Sequence, residues 1–544
     1  MKDSKHTPPI QDGLGTSSPN IRQYLPTMPD IFAGFVVFLF ALPLSLGIAK
    51  ASEFPPIMGL LTAIIGGILG GVLSGAKLTI KGPAAGLIVI VAGAVNAFGG
   101  GEQGWHLALG AIVIAGLVQI GFGLLNFGRL VSFFPLSAVH GMLAAIGLTI
   151  IAKQIPVLLN VDPHLVAGKP FDLFLDVPNF IRHLDPLAAS IGFMSLIIMM
   201  FWPKLKFSWA KKIPAPLMVL VWAIPASLLL NLHGSSPSYT LVHIGSLLDQ
   251  LGIQVAFSTD VSWLDFVKYV VMFALVGSLE SLLTVKAIDI IDPKKNKSNP
   301  NKDLVAIGIG NVVAGCLGGL PMISEVARST ANVNQGATSQ WSNIIHGLLI
   351  FLFAVFAVQA LELIPNSALA AMLITVGIKL AHPHEFLTML KTGKEQLLIF
   401  VVTIVVTLAE DLLMGIGAGI VVKLFIHMLH GASIKSLFKA AITVENTAQQ
   451  SYQVIVKSSL VFSNYLQLLD VLQAIPKGGN ILVDLSETRL IDHSVMSALE
   501  EFRTDYVSTG GTLAISGLSS HMKFSQHPFA ARKKLEQWRF AMFD

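Results

Sequence analysis

The sequence predicts a polytopic α-helical membrane protein, fourteen spans arranged as two inverted sets of seven, followed by a small soluble α/β domain. Three observations predict it. The chain of 544 residues is 53% hydrophobic and only 12% charged, with mean hydropathy +0.70, far from the balance of a soluble protein. Apolar runs near the roughly 20 residues needed to cross hydrocarbon recur from position 31 to 430. Beyond His430 ordinary soluble sequence returns. A net charge of +4 leaves no basic field of the kind that nucleic acid binding requires. The single cysteine, Cys316, lies in an apolar run, so an intramolecular disulfide is excluded and a small packing role is expected.

Taken in order, residues 1–30 form a polar tail without the apolar core and cleavage site of a signal peptide, so the first span is expected to direct insertion. Spans are read at 31–51, 57–75, 77–98, 106–126, 135–152, 186–202, 213–231, 265–289, 304–320, 321–339, 340–361, 365–382, 394–411 and 412–430. Those at 77–98 and 321–339 are broken. Residues 31–430 are thus the membrane domain, 431–449 a linker and 450–544 the soluble domain. Basic residues test the count, because cytoplasmic loops carry the Lys/Arg excess. Lys204, Lys206, Lys211 and Lys212, then Lys294, Lys295, Lys297 and Lys302, then Lys391 and Lys394 all fall on the side of the N-terminus. The loops Leu232 to Asp260 and Phe98 to His106 hold no Lys or Arg and fall opposite. Both termini are therefore expected in the cytoplasm, with the protein in a bacterial cytoplasmic membrane. The external loop carrying Lys153, Lys169 and Arg182 is the exception, balanced by Asp162, Asp172, Asp176 and Asp185.

The two broken spans carry the chemistry. Lys81-Gly82-Pro83-Ala84-Ala85-Gly86 follows a Gly-rich apolar run, and so does Ser324-Glu325-Val326-Ala327-Arg328. The third span matches the tenth, an odd offset, so the second copy is inverted. Paired interruptions at matching positions point to a transporter's binding site near the midplane, where extended backbone continues as half-helices. Their free N–H groups and positive dipole ends favour an anion. The glycines have a second reading, since small residues also let membrane helices pack closely.

The chain resembles the sulfate permease (SulP) family of inorganic anion transporters. The resemblance rests on Ala41-Leu42-Pro43-Leu44, Gly82-Pro83, Glu280-Ser281-Leu282-Leu283-Thr284, Gly319-Leu320-Pro321 with Arg328-Ser329 and Asn332, and a C-terminal segment similar to sulfate-transporter/anti-sigma-antagonist (STAS) domains. It implies a core domain that holds substrate, a gate domain against which the core slides, and a homodimer. Phe35 to Ile48 and Gly82 to Leu87 are similar to bacterial members sometimes fused to carbonic anhydrase, which favours bicarbonate. The resemblance further implies that Glu280, with the Thr284 hydroxyl one turn on, lies beside the substrate and couples transport to Na⁺ or H⁺. A structural ion pair is the other reading of Glu280, because an intramembrane carboxylate usually faces the bundle interior and finds a partner.

Lys81 and Glu325 depart from the family, whose segments usually carry small or hydroxylated residues there. Either they pair across the cavity, or Lys81 binds substrate and Glu325 accepts a proton. Arg328 suits an oxyanion through its planar fork of donors. The expected cradle is therefore Lys81, Gly82, Ala84, Ala85, Gly86, Ser324, Glu325, Val326 and Arg328. His140 is an intramembrane imidazole, read either as hydrogen-bonded packing or as a proton shuttle.

In the soluble domain, strands at Tyr452–Ser458, Asn480–Asp484 and Thr512–Ser516 alternate with helices at Ser463–Ala474 and Val495–Thr509, and a last helical region is expected. His493 stands where anti-sigma antagonists carry the phosphorylated serine, with Ser494 following. No metal site, phosphate loop or catalytic triad is present, so neither cofactor nor enzymatic activity is expected. The sequence-based reading is a secondary active transporter of bicarbonate or sulfate working by alternating access. Proton-coupled dicarboxylate uptake and a non-transporting anion sensor are its alternatives.

Overall fold

The computed structural model describes residues 25–128, 135–207, 213–232, 237, 240–258, 261–448 and 450–535. The first repeat contains α1 (Met28–Ala51), α2 (Pro56–Leu73), β1 (Lys81–Pro83), α3 (Ile88–Ala97, entered through a 3₁₀ turn at Ala85–Leu87), α4 (Gly101–Leu124), α5 (Leu136–Leu158), α6 (Pro186–Phe201) and α7 (Ala215–Leu229). The second contains α8 (Trp263–Ile291), α9 (Pro300–Cys316), β2 (Met322–Ser324), α10 (Val326–Asn334), α11 (Trp341–Phe356), α12 (Asn366–Leu380), α13 (Lys394–Ala409) and α14 (Leu412–Leu429). Among the described residues α1, α2, α4, α5, α6, α8 and α14 are long and apolar enough to cross a membrane, while α3, α7 and α11 are shorter apolar helices. Lys211, Lys212, Asp260 and most of the polar N-terminal tail lie outside the described residues.

Helix starts follow the local chemistry. Thr27 caps α1 in a reciprocal box with Asp30, Asn299 caps α9, and Pro occupies the first turn of α2, α6 and α9, where its missing N–H is harmless. Asp30 also accepts from the Thr338 and Ser339 N–H groups at 2.7 and 2.9 Å, which ties the start of α1 to the entrance of α11.

Packing sorts the helices into two bundles. One holds α1–α4 and α8–α11, the other α5–α7 and α12–α14. The partners repeat with an offset of seven: α4 packs on α9 as α11 packs on α2, and α5 on α13 as α12 on α6. Glycines set these contacts. A Cβ on Gly67 would lie 2.5 Å from the Gly347 Cα, where α2 meets α11, and one on Gly116 would lie 2.8 Å from the Gly308 carbonyl, where α4 meets α9. Gly147 and Gly377 meet in the same way between α5 and α12, at 2.5 and 2.7 Å from one another's carbonyls. The packing reading of the glycines thus holds, since backbones meet where the repeats interlock.

The soluble domain is a mixed sheet in the order β7-β5-β4-β6-β9-β8, with β3 on β4. Its members are β3 (Ala441–Ala448), β4 (Ser451–Leu460), β5 (Asn480–Asp484), β6 (Thr488–Ile491), β7 (Thr512–Ser516), β8 (His521–Lys523) and β9 (Arg532–Lys534), with helices α15 (Tyr465–Ala474) and α16 (His493–Val507). Strand β4 pairs in parallel with β5 through its first half and with β6 through its end. Two expectations are corrected here. Ala441–Ala448, expected as linker, is a strand antiparallel to β4. The expected last helical region is, within the described residues, the β8–β9 pair, because Leu490 and Ile491 of β6 offer β9 an edge to extend.

The sheet domain docks on both bundles at one end of the membrane domain. Lys423 of α14 and Asp492, 1% and 0% exposed, lie 3.4 Å apart, and Lys423 Nζ also donates to Ser494 Oγ. Ser525 Oγ donates to the Thr392 carbonyl. On the other bundle, Lys286 of α8 pairs with Glu501 of α16 at 2.5 Å, and Lys297, in the loop before α9, with Asp505 at 2.9 Å.

Candidate functional site

The two broken spans meet. Strands β1 and β2 run antiparallel with Lys81 opposite Ser324, Gly82 opposite Ile323 and Pro83 opposite Met322, and each leads within a few residues into its half-helix. The flanking groups of these short strands are satisfied by side chains, as buried backbone requires. Ile80 N–H donates to Ser329 Oγ and Asn332 donates to the Leu78 carbonyl, while Asn311 of α9 both donates to the Met322 carbonyl and accepts from its N–H. The Asn343 side chain of α11 accepts from Lys81 N–H at 3.4 Å and donates to the Gly66 carbonyl.

Lys81 does not meet Glu325. Its ammonium is fully buried and turns toward the sheet-domain end, 2.9 Å from Asp303 Oδ1, donating also to Ser74 and Thr79. The other oxygen of Asp303 accepts from Ser324 Oγ at 2.9 Å. Glu325 instead forms the N-cap of α10, where its carboxylate accepts from Arg328 N–H at 2.7 Å. Of the two readings of these charges, the pair across the cavity is therefore overturned. Facing β-strand residues project to one side of their ribbon, and Asp303 waits on the side that Lys81 occupies.

The two helix starts differ. At the second, Ser324 N–H donates to Ser281 Oγ, Glu325 N–H to the Ile80 carbonyl and Arg328 N–H to Glu325, so the expected array of free donors over Ser324–Val326 is largely spent. At the first, neither the 3₁₀ turn nor α3 has a side-chain cap, and Ala84, Ala85 and Gly86 are buried. Arg328 stands between the two. It is wholly buried, none of its three guanidinium nitrogens makes a hydrogen bond among the described residues, and Glu325 Oε2 lies 3.9 Å from its Nε. Gly82 makes room for it, since a Cβ there would come within 2.5 Å of Nη1.

Glu280 closes the set from α8. It is 7% exposed, its Oε1 has no hydrogen-bond partner, and a Cβ on Gly86 would overlap its carboxylate, so glycine is required at the α3 entrance. Thr284, one turn on, is also buried. An uncapped helix start, a guanidinium without hydrogen bonds among the described residues and a carboxylate oxygen without a hydrogen-bond partner thus converge on the strand crossing. A family model described as the sulfate permease family matches residues 28–403, most of the chain. The chain belongs to the sulfate permease family.

Relatives span most of their own lengths here. One is YvdB of Bacillus subtilis (strain 168), a protein named for sulfate transport, 27% identical over 94% of this chain and 95% of its own. Another is the bicarbonate transporter BicA of Synechocystis sp. (strain ATCC 27184 / PCC 6803 / Kazusa), 25% identical over 72% of this chain and 68% of its own. Among solved structures, the transmembrane domain of a cyanobacterial BicA superposes with TM-score 0.63 at 24% identity, covering 72% of this chain and 97% of that one. SLC26A9 superposes with TM-score 0.67 at 15% identity, covering 91% of this chain and 86% of that one, a span that runs through the membrane core into the sheet domain. This member of the sulfate permease family is accordingly an anion-transport protein with a helical membrane core and a STAS domain.

Within that family fold, a cavity of about 610 Å³ opens at the end away from the STAS domain, lined by Glu53, Glu102, Asp249 and Trp105 among others. Three carboxylates make it unsuited to hold an anion, and none of the cradle residues lines it. His140 lies 3.0 Å from Glu385 on the short amphipathic helix Pro383–Thr392, and this hydrogen bond holds the Glu385 carboxyl below its ordinary value. The residues that sequence reasoning missed are Asp303, Asn311, Ser281 and Asn343. Asp303 follows Lys302 directly and reads as part of a charged loop; only the polarity of Asn311 and Asn343 within apolar spans signals them.

Proposed function

We propose that the chain is a secondary active transporter of a small inorganic oxyanion, bicarbonate or sulfate, working by alternating access. The observation that carries the reading is the buried Arg328 guanidinium, without hydrogen bonds among the described residues, beside the uncapped start of α3. A buried guanidinium whose donors are unmet is costly even with the Glu325 carboxylate 3.9 Å away, and a bound oxyanion offsets that cost by accepting its fork of donors. Gly82, Ala84, Ala85 and Gly86 form the anion side of the cradle, with Ser324 and Val326 across it; Glu325 tempers the field as a cap. The bundle of α1–α4 and α8–α11 is the core that carries this site, sliding on the bundle of α5–α7 and α12–α14. Glu280, with Thr284, takes up the coupling Na⁺ or H⁺, which its unpaired, buried carboxylate is suited to hold. The lysine-rich loops and the STAS domain share one end, which the charge rule assigns to the cytoplasm.

The names of YvdB and BicA support sulfate and bicarbonate equally, so the test is a flux panel. Purified protein in proteoliposomes is given labelled bicarbonate, sulfate, chloride and fumarate, with and without a Na⁺ or proton gradient. Gradient-driven accumulation of one oxyanion is expected. Binding without flux would make the chain a sensor, and proton-driven fumarate uptake would make it a dicarboxylate transporter.

A further inference from the structure

We infer that Asp303 is the positioning residue of the anion cradle and sets which anion fits; the inference rests on the transport reading above. One carboxylate holds both repeats at the point where they cross. Oδ1 takes the Lys81 ammonium at 2.9 Å, the Ser74 hydroxyl at 3.1 Å and the Gly75 N–H at 3.2 Å, which fixes the turn between α2 and β1. Oδ2 takes the Ser324 hydroxyl at 2.9 Å. Lys81 and Ser324 are register partners across the β1–β2 pair, so Asp303 clamps one cross-strand pair from below. All of Lys81, Ser324, Asp303 and Ser74 are buried, Ser74 being the most open at 6% exposed.

The strands are three residues long, so little backbone pairing holds them together. A shift of either strand is passed straight to its half-helix, to Ala85 and Gly86 on one side and to Val326 and Arg328 on the other. The span between those groups is the width available to the anion. Asp303 reaches the cradle through Ser324, whose hydroxyl it holds, and through Lys81, whose ammonium it neutralises. With Lys81 neutralised, the positive field at the site comes from Arg328 and the α3 start rather than from a second fixed cation.

The experiment uses the full chain in proteoliposomes, with labelled bicarbonate and sulfate as probes. Asp303→Glu keeps the charge and adds one methylene, pushing the strands apart. The ratio of kcat/KM for sulfate over bicarbonate is expected to rise by about tenfold, on the scale at which a pocket discriminates substrates that differ by one methylene. Ser324→Ala removes only the second arm and is expected to shift the same ratio without loss of fold. Lys81→Met with Asp303→Asn removes both charges together, so that the protein folds; KM for the preferred anion is expected to rise with kcat little changed. Wild-type ratios and KM in Asp303→Glu, or in Ser324→Ala should the longer acid not fold, would reduce Asp303 to packing. So would a double variant with wild-type KM and selectivity. A wild-type protein that carries neither anion would instead overturn the transport reading itself.

Discussion

Glu325 shows how one residue can look like a ligand in sequence and serve as a terminator in structure. As N-cap of α10 it satisfies the Arg328 N–H and sets a negative charge at the positive end of that helix. Removing the charge while keeping an acceptor isolates the field. Glu325→Gln is expected to retain the fold and lower the KM for the anion, whereas Glu325→Ala is expected to cost about 0.5–2 kcal/mol through loss of the cap. Thermal unfolding in detergent together with uptake kinetics separates the two effects. Glu280 is predicted to act on the other side of the cycle. Glu280→Gln is expected to abolish gradient-driven accumulation while leaving exchange of anion for anion, and concentrative uptake in that variant would remove it from the coupling role. The partners of Lys81 and Glu325 were not legible in the sequence, because the pairing partner of a buried charge is fixed by the direction in which a strand presents it. The choice of Asp303 over Glu325 was made by the facing of a two-stranded ribbon three residues long.

Elements were far more legible than partners. A membrane span must be long and apolar, and that requirement located most of the helical segments to within a few residues, while the breaks before α3 and α10 were read from the glycine, proline and charged residues that interrupt the apolar runs. The soluble domain was harder, since Arg532–Lys534 carries charge rather than alternating apolar residues and becomes a strand by pairing between β6 and β8. The contact glycines allow a direct test of the repeat. Gly67→Ala brings a Cβ within 2.5 Å of the Gly347 backbone, where helices and not side chains would have to yield, so about 1–3 kcal/mol of destabilisation is expected. Gly121 of α4 has open space around its missing Cβ, and Gly121→Ala is expected to stay within about 1 kcal/mol of wild type. Equal loss at both positions, measured by thermal unfolding, would mean that glycine flexibility rather than backbone contact matters.

At the scale of the whole molecule, the STAS domain bridges two bundles that the proposed transport cycle requires to slide. Its two attachments differ in strength. Lys286–Glu501 and Lys297–Asp505 are about half exposed, and such pairs contribute about 0–1 kcal/mol each. Lys423–Asp492 is buried, and breaking a buried pair by removing one partner costs about 3–5 kcal/mol. The domain should therefore stay with α14 and release the core. Lys286→Ala with Lys297→Ala is expected to leave stability nearly unchanged and speed transport, while Lys423→Met is expected to lower the melting temperature markedly. The attachment is also expected to be acid-sensitive. Burial alone would raise the Asp492 carboxyl, but Lys423, His427 and the N–H groups of Val495 and Phe462 outweigh it and hold it below its ordinary value. Its contribution is complete at neutral pH and is lost as pH falls through that depressed value, below the ordinary carboxylate pKa of about 3.9. Protease cleavage around residues 431–440, followed against pH, should rise in that acid range and lose its acid dependence in Asp492→Asn.

The same buried lysine bears on how the chain is made. During synthesis α14 enters the bilayer before Asp492 has been translated, so Lys423 arrives in the membrane with its countercharge still to come. Until β4, β6 and the start of α16 have folded, the last span holds an ammonium without this partner, and its insertion is expected to be less favourable. The soluble domain is thus expected to complete the last span by supplying its countercharge, and a chain cut after that span is expected to hold it less firmly.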